Sequence, residues 1–155
     1  VYLTAIYQTV LDNNGTTPAG VDVDVPGSKS WAIGGSYDFK VVKVFAQYQV
    51  ESNKQKGGDI DKDAWTLGVR VPVGKAGTVI AEYVDASADV NTAGAKDLGA
   101  RGYSLGYEHA LSKRTTAYTS LGYISNNETS KQSFGGVGTL DENNTNFNVG
   151  VRHVF

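Results

Sequence analysis

Eight segments of alternating polar and apolar residues, joined by connections that are in turn short and long, constrain this chain more than any other feature of it. The segments run Val1–Leu11, Lys29–Phe39, Val42–Glu51, Ala64–Val73, Thr78–Ala86, Ala100–Ala110, Thr115–Ser125 and Asn144–Phe155. Helical periodicity is nearly absent, and period-two alternation predicts strands. The connections Phe39–Val41, Gly74–Gly77 and Leu111–Arg114 are tight turns. Asp12–Ser28, Ser52–Asp63, Ser87–Gly99 and Asn126–Asn143 are long, polar and rich in Asn, Asp, Gly and Lys. Strict short–long alternation puts every short turn at one end of the sheet and every long loop at the other. The topology it implies is an up-and-down meander with two unlike ends; a Greek key would not sort its connections this way.

Strand length and loop sorting together point to an all-β antiparallel transmembrane barrel. Each segment has roughly the 9–11 residues that cross a bilayer at a tilt, and outer-membrane barrels carry short periplasmic turns and longer extracellular loops. Trp65, Leu67, Val69, Val71 and Val73 alternate with Thr66, Gly68, Arg70 and Pro72, and Phe147, Val149, Val151, His153 and Phe155 alternate with Asn148, Gly150, Arg152 and Val154. A soluble sandwich also alternates, so this pattern alone does not decide. The aromatic residues Tyr7, Trp31, Tyr37, Phe39, Tyr48, Trp65, Tyr83, Tyr103, Tyr107, Tyr123, Phe147 and Phe155 fall on the proposed lipid face, many towards strand ends, where amphipathic rings favour the membrane interface.

Composition removes several function classes. A net charge of −2 with a pI of about 5.6 gives no basic footprint for nucleic acid. The absence of Cys excludes disulfides, thiolate metal sites and cysteine nucleophiles. The mean hydropathy of −0.28 would suit a soluble protein, but only alternate residues of a membrane barrel meet lipid. With 19 Gly, 9 Tyr and only 3 Pro, the chain is suited to bending strands with aromatic edges. It opens inside an apparent strand, and a partial sequence is the expectation.

The face opposite the lipid face is polar. Lys43, Gln47, Gln49, Arg70, Glu82, Ser104, Glu108, Asn148 and Arg152 are the candidate pore-lining residues. Unpaired charges fill a dry core only at high cost, and a water-filled lumen removes that cost. Gly34, Gly68, Gly106, Gly122 and Gly150 on the same face are expected to leave space, which favours a wide pore over a packed small barrel. Charged rings in such a pore set ion preference. Lys43, Arg70 and Arg152 are the candidates for attracting anions, and Glu82 and Glu108 the groups that could pair with them. For any one of these residues a solvated wall with no special role is the competing reading.

Catalytic and metal readings find little. His109 and His153 have no metal-ligand spacing, and no G-x-S-x-G elbow is present. Gly57-Gly58-Asp59 is not followed by a phosphate-binding motif. Asp59, Asp61 and Asp63 alternate in one predicted loop like the start of a calcium loop, but the later Gly and Glu are missing, and a solvated acidic loop is the simpler reading. No cofactor, metal or enzymatic activity is expected.

The stretches Asn146–Phe155 and Leu105–Tyr118 resemble the last strand, and a strand–turn–strand unit, of the general porins of beta-proteobacteria. The resemblance extends from about Lys29 onward. It implies that the chain is the carboxy-terminal half of a barrel of roughly 16 strands, forming a homotrimer in the bacterial outer membrane. It further implies contact with lipid and lipopolysaccharide, passive diffusion of ions and small hydrophilic solutes, and frequent anion preference. The terminal Phe155 resembles the signal read by the outer-membrane assembly machinery. Two alternatives remain beside it: a complete eight-stranded outer-membrane barrel acting as an anchor or adhesin through its loops, and a soluble ligand-binding barrel, which an exposed apolar belt would drive to aggregate.

Overall fold

The computed structural model describes residues 1–11, 13–16, 22–25, 27–54, 59–90, 98–133 and 142–155. Its described elements are all strands: β1 (Tyr2–Val10), β2 (Asn13–Thr16), β3 (Asp22–Val25), β4 (Ser28–Asp38), β5 (Lys43–Asn53), β6 (Ile60–Val73), β7 (Gly77–Val90), β8 (Leu98–Ala110), β9 (Thr115–Asn126) and β10 (Asn144–His153). Eight of them form one antiparallel sheet in the order β1-β4-β5-β6-β7-β8-β9-β10, and β2 and β3 form a separate ladder within the first long connection. Every neighbour in the large sheet is also the next large strand along the chain, which is the up-and-down meander expected from the loop sorting.

The sheet does not close on itself: β1 pairs with β4 and β10 with β9, leaving one edge at each end. Unpaired backbone groups in hydrocarbon cost several kcal/mol each, about enough to forbid an open edge in a membrane. The self-closed eight-stranded barrel is therefore not the arrangement found.

Predicted and observed strands agree closely at the turn end and differ at the loop end. The β6–β7 hairpin begins at Ile60 and runs to Val90, not Ala64 to Ala86, because Asp61↔Asp89 and Asp63↔Ser87 continue the ladder. The bilayer limits strand length only where lipid surrounds it, and a polar hairpin keeps its backbone hydrogen bonds in water as well. Asp61 and Asp63 thus lie in a strand rather than in a loop, and Asp63 Oδ1 accepts a hydrogen bond from the Ser87 hydroxyl at 2.6 Å. The β2–β3 ladder falls in a segment predicted as loop; Asp22-Val23-Asp24-Val25 carries the alternation that could have signalled it. Gly57 and Gly58 lie outside the described residues.

The turns are closed by local bonds. In the β8–β9 turn the Ser112 hydroxyl accepts from the backbone N–H of Arg114 (3.1 Å) and Thr115 (3.0 Å). In the β4–β5 turn Lys40 takes a left-handed φ of 77°, and its N–H donates to Asp38 Oδ1 at 2.7 Å. Gly74 fills the corresponding left-handed position (φ 63°) between β6 and β7, where a Cβ would be strained.

Candidate functional site: the polar face of the sheet

Directly opposed residues of an antiparallel pair share a face, so the ladder register sorts every side chain. One cross-strand row reads Asp38, Lys43, Arg70, Ile80, Gly106, Ser120, Asn148. The next towards the loops reads Ser36, Phe45, Gly68, Glu82, Ser104, Gly122, Asn146. Gln47 and Gln49 follow on β5, Glu108 lies opposite Thr78 and Tyr118, and Arg152 lies opposite Thr116. All nine sequence-predicted residues stand on this one face. Gly34, Gly68, Gly106, Gly122 and Gly150 share it.

The opposite face carries the apolar residues. Leu67, Tyr83, Tyr103 and Tyr123 share it, as do Val69, Ala81, Leu105, Leu121 and Phe147. Aromatic rings form two groups there. Trp31 meets Tyr48 at 5.5 Å, and Trp65, Tyr83, Tyr103 and Tyr123 follow one another in tilted contact with centroids 4.9, 5.0 and 6.4 Å apart. Towards the turns, Tyr37 meets Phe39 at 4.5 Å, Tyr107 meets His109 at 6.0 Å, and His153 meets Phe155 at 4.9 Å. Two aromatic girdles flanking an apolar band are what the two lipid–water interfaces select. Each His is held locally: His109 Nδ1 by the Tyr107 hydroxyl and His153 Nδ1 by that of Thr115, both at 2.9 Å. The described residues contain no group of three or more potential metal ligands.

Charges balance among the described strand residues of the polar face. Lys43, Lys62, Arg70 and Arg152 are matched by Asp38, Glu51, Glu82 and Glu108. Arg70 Nη2 meets Glu108 Oε2 at 2.6 Å, and Lys62 Nζ meets Glu51 Oε2 at 3.9 Å. Lys43, Glu82 and Arg152 form no ion pair among the described residues. The side chains of Gln47 and Gln49 hydrogen-bond at 3.2 Å, and Asn148 bonds Asn146 and, at 3.4 Å, Ser120.

Three features escaped the sequence reading. The aromatic residues Tyr2 and Tyr118 also face the polar side, joining Phe45, which period two along its strand predicts there. Phe45 lies over Gly68, its cross-strand partner, so that a Cβ there would overlap the ring; Tyr118 covers Gly150 in the same way, and a Cβ on Gly150 would fall 2.5 Å from it. Gly68 and Gly150 therefore do not leave open space as expected but seat rings, whereas Gly102 and Gly106 would meet no atom closer than 3.6 Å. Period two from Lys43 reaches Phe45, so the signal was present for that ring; the ring's lean over Gly68 was not readable.

The third feature is the segment after β9. Asn126 is buried, donating from Nδ2 to the carbonyls of Gln132 (3.0 Å) and Glu142 (2.7 Å) and accepting from the Gln132 N–H (2.9 Å). Asn126 stands in the polar-face row with Ala64, Ala86 and Ala100. Ser130 and Gln132 line a recess of about 650 Å³ together with those alanines, Ala88 and Gln49. Residues 127–133 thus fold over the polar face at its loop end, where small side chains make room.

A sheet with an apolar, aromatic-girdled outer face, a polar inner face and two open edges is a segment of a transmembrane β-barrel wall. A family profile described as Gram-negative porin matches residues 1–129. Outer membrane porin protein 32 of Delftia acidovorans is 35% identical over 130 residues, spanning 79% of this chain and 36% of that protein. The anion-selective porin from Comamonas acidovorans superposes with a TM-score of 0.78 at 30% identity, covering 100% of this chain and 46% of that one. An outer membrane protein of Vibrio cholerae, in trimer form, shares the fold with a TM-score of 0.71 at 18% identity, covering 98% of this chain and 52% of its own. The chain belongs to the Gram-negative porin family, whose place is the bacterial outer membrane and whose members are channels rather than enzymes. It spans about a third to a half of the length of the relatives it matches. The quoted ending Asn146–Phe155 lies beyond the profile match but within the structural one.

Proposed function

We propose that this chain forms part of the wall of a water-filled pore through which ions and small hydrophilic solutes diffuse passively. The make-up of the polar face carries the reading: four cations, four carboxylates and a row of Gln, Ser and Asn side chains share it, a set that a dry core would accommodate only at high cost. Such a face is stable only against water. Lys43, Gln47, Gln49, Arg70, Glu82, Ser104, Glu108, Asn148 and Arg152 line the lumen in this proposal, and Ser130 and Gln132 narrow its loop-side mouth. The complete barrel has roughly 16 strands, closed by a further half along the β1 and β10 edges. It assembles as a homotrimer amid phospholipid and lipopolysaccharide. Phe155, exposed and edge-on to His153, serves as the signal for the assembly machinery.

Anion preference is the second part of the proposal. With Arg70 paired to Glu108 and Lys62 to Glu51, Lys43 and Arg152 are the cations of the described polar face without an ion pair, set against the carboxylates of Asp38 and Glu82, so the direction of the preference is taken from the relative and these two cations are proposed to carry it. The relative from Comamonas acidovorans is described as anion-selective, which supports the direction. Single-channel recording of the full-length porin under a salt gradient tests both parts. Stable open steps with a reversal potential of anion-preferring sign, reduced in the Lys43→Ala/Arg152→Ala variant, are the expected result. A correctly folded porin without conductance would refute the pore, and a potential unmoved by the double variant would refute the role of these two residues.

A further inference from the structure

The three short turns share a composition that their fold does not require. Residues 39–42, 74–76 and 111–114 contain Lys40, Lys75, Lys113 and Arg114 and no carboxylate. All four cations are exposed, and none forms an ion pair among the described residues. Their side chains have no part in closing the turns. Ser112 caps one, a Phe39 N–H to Val42 carbonyl bond of 2.9 Å closes another, and the Ala110 N–H to Ala76 carbonyl bond of 2.9 Å ties the third to β8. Lys40 even occupies a left-handed position that Gly or Asn would fill at lower cost, as Gly74 does one hairpin later. Residues held at such a position against local preference point to a role outside the fold.

The same turns expose large apolar groups beside the cations. Phe39 is 55% exposed, Val41 74% and Leu111 61%. In bulk water that mixture is unfavourable; at a membrane interface it is stable, because the apolar groups enter the acyl boundary while the cationic tips reach the headgroups. The turn-end girdle of Tyr37, Tyr107, His109 and His153 places that interface immediately beside the turns. Successive turns stand two strands apart, roughly 10 Å across the sheet, so the cations form a spaced rim rather than a single cluster.

We infer that the turn-end rim, through Lys40, Lys75, Lys113 and Arg114, binds the headgroups of anionic phospholipid. The anionic phosphate accepts charge-assisted hydrogen bonds from the ammonium and guanidinium groups. A juxtamembrane cation attracts anionic lipid within a Debye length of the surface. The inference rests on membership of a membrane-barrel family and not on conduction, so it stands or falls separately from the pore.

The test reconstitutes the full-length porin in phosphatidylethanolamine bilayers and measures the relative association of spin-labelled phosphatidylglycerol by electron paramagnetic resonance. The wild type is expected to prefer phosphatidylglycerol over spin-labelled phosphatidylethanolamine, with the preference falling as salt rises. The Lys40→Ala/Lys75→Ala/Lys113→Ala/Arg114→Ala variant is expected to lose most of it, by roughly two- to fivefold. A Lys54→Ala/Lys131→Ala variant, which removes cations at the loop end, should keep the preference; both variants must migrate as folded trimers in unheated gels. No preference in the wild type, an unchanged preference in the turn variant, or an equal loss in the loop-end variant would overturn the inference. So would binding of acidic soluble polymer to the rim without any lipid preference.

Discussion

Ser104 and Leu105 are neighbours on β8, yet they answer to different solvents. Ser104 sits in a row with Glu82 and Gly122, Leu105 in one with Ala81 and Leu121, and the strand backbone between them bonds to the same two neighbours. Hydrogen bonding is therefore uniform across the sheet, and the difference between the faces is carried by side chains alone. On the outer face any charge meets hydrocarbon, and desolvation sets the outcome. On the inner face charges are tolerated, and their arrangement sets what passes rather than whether the strand is stable. Equal chemical changes on the two faces should thus have unequal effects.

The largest difference is expected from placing one cation on each face. Leu105→Arg, between the two aromatic girdles, should destabilise the folded porin by about 2–4 kcal/mol, the cost of arginine at the bilayer midplane. Ser104→Arg should leave stability nearly unchanged and shift selectivity towards anions. Urea unfolding of the full-length protein in phospholipid vesicles measures the first and reversal potential the second; similar unfolding midpoints would break the distinction between faces.

Within the inner face, glycines should divide by what covers them. Gly68→Ala must displace the Phe45 ring and is expected to cost about 1–3 kcal/mol. Gly106→Ala, with no atom closer than 3.6 Å, should stay within about 0.5 kcal/mol of wild type. Equal unfolding midpoints for the two variants would show that Phe45 gives way freely. Asn126→Ala removes three hydrogen bonds made by a buried side chain and should cost about 1–3 kcal/mol. Its effect should be local, read as faster amide exchange over residues 127–133 with β8 unchanged.

The smallest effect on stability belongs to the half-exposed pair. Glu108→Gln should change folding by less than about 1 kcal/mol, since such ion pairs contribute little in water. It nevertheless frees Arg70, and the reversal potential should move towards stronger anion preference. A change in stability with no change in potential would assign the pair to the fold instead.

How much of this could be read from the sequence follows from which forces act locally. Strand parity was legible because one face meets lipid: Trp65, Leu67 and Val69 alternate without exception, and parity then places Arg70, Gln47 and Ser104 opposite. The tight turns were legible for the same reason, since apolar runs end at the membrane. The loop end was not. Asp61 and Asp63 read as loop because aspartate disfavours strands, but the facing Asp89 and Ser87 extend the hairpin in water, where length has no membrane limit. The inward fold of residues 127–133 depends on Asn126 reaching carbonyls 6 and 16 residues away, a tertiary contact with no local pattern. The charge balance of the inner face was half legible: Glu108 was a candidate partner for the cations, but only the structure shows it reaching Arg70 while Lys43 and Arg152 form no ion pair among the described residues.

The central claim, that one face of these strands meets water and the other lipid, is tested most directly by cysteine accessibility. The chain contains no Cys, so single replacements introduce the only thiol of this segment. Gln47→Cys, Ser104→Cys and Ser120→Cys on the inner face, and Ala46→Cys, Leu105→Cys and Leu121→Cys on the outer, would be made in the full-length porin with any other thiol removed. A charged, membrane-impermeant thiol reagent would then be added to the protein in bilayers. The account predicts rapid labelling and a stepwise change in current for the first three, and neither for the second three. Equal labelling of both sets, or labelling of the outer set alone, would contradict it.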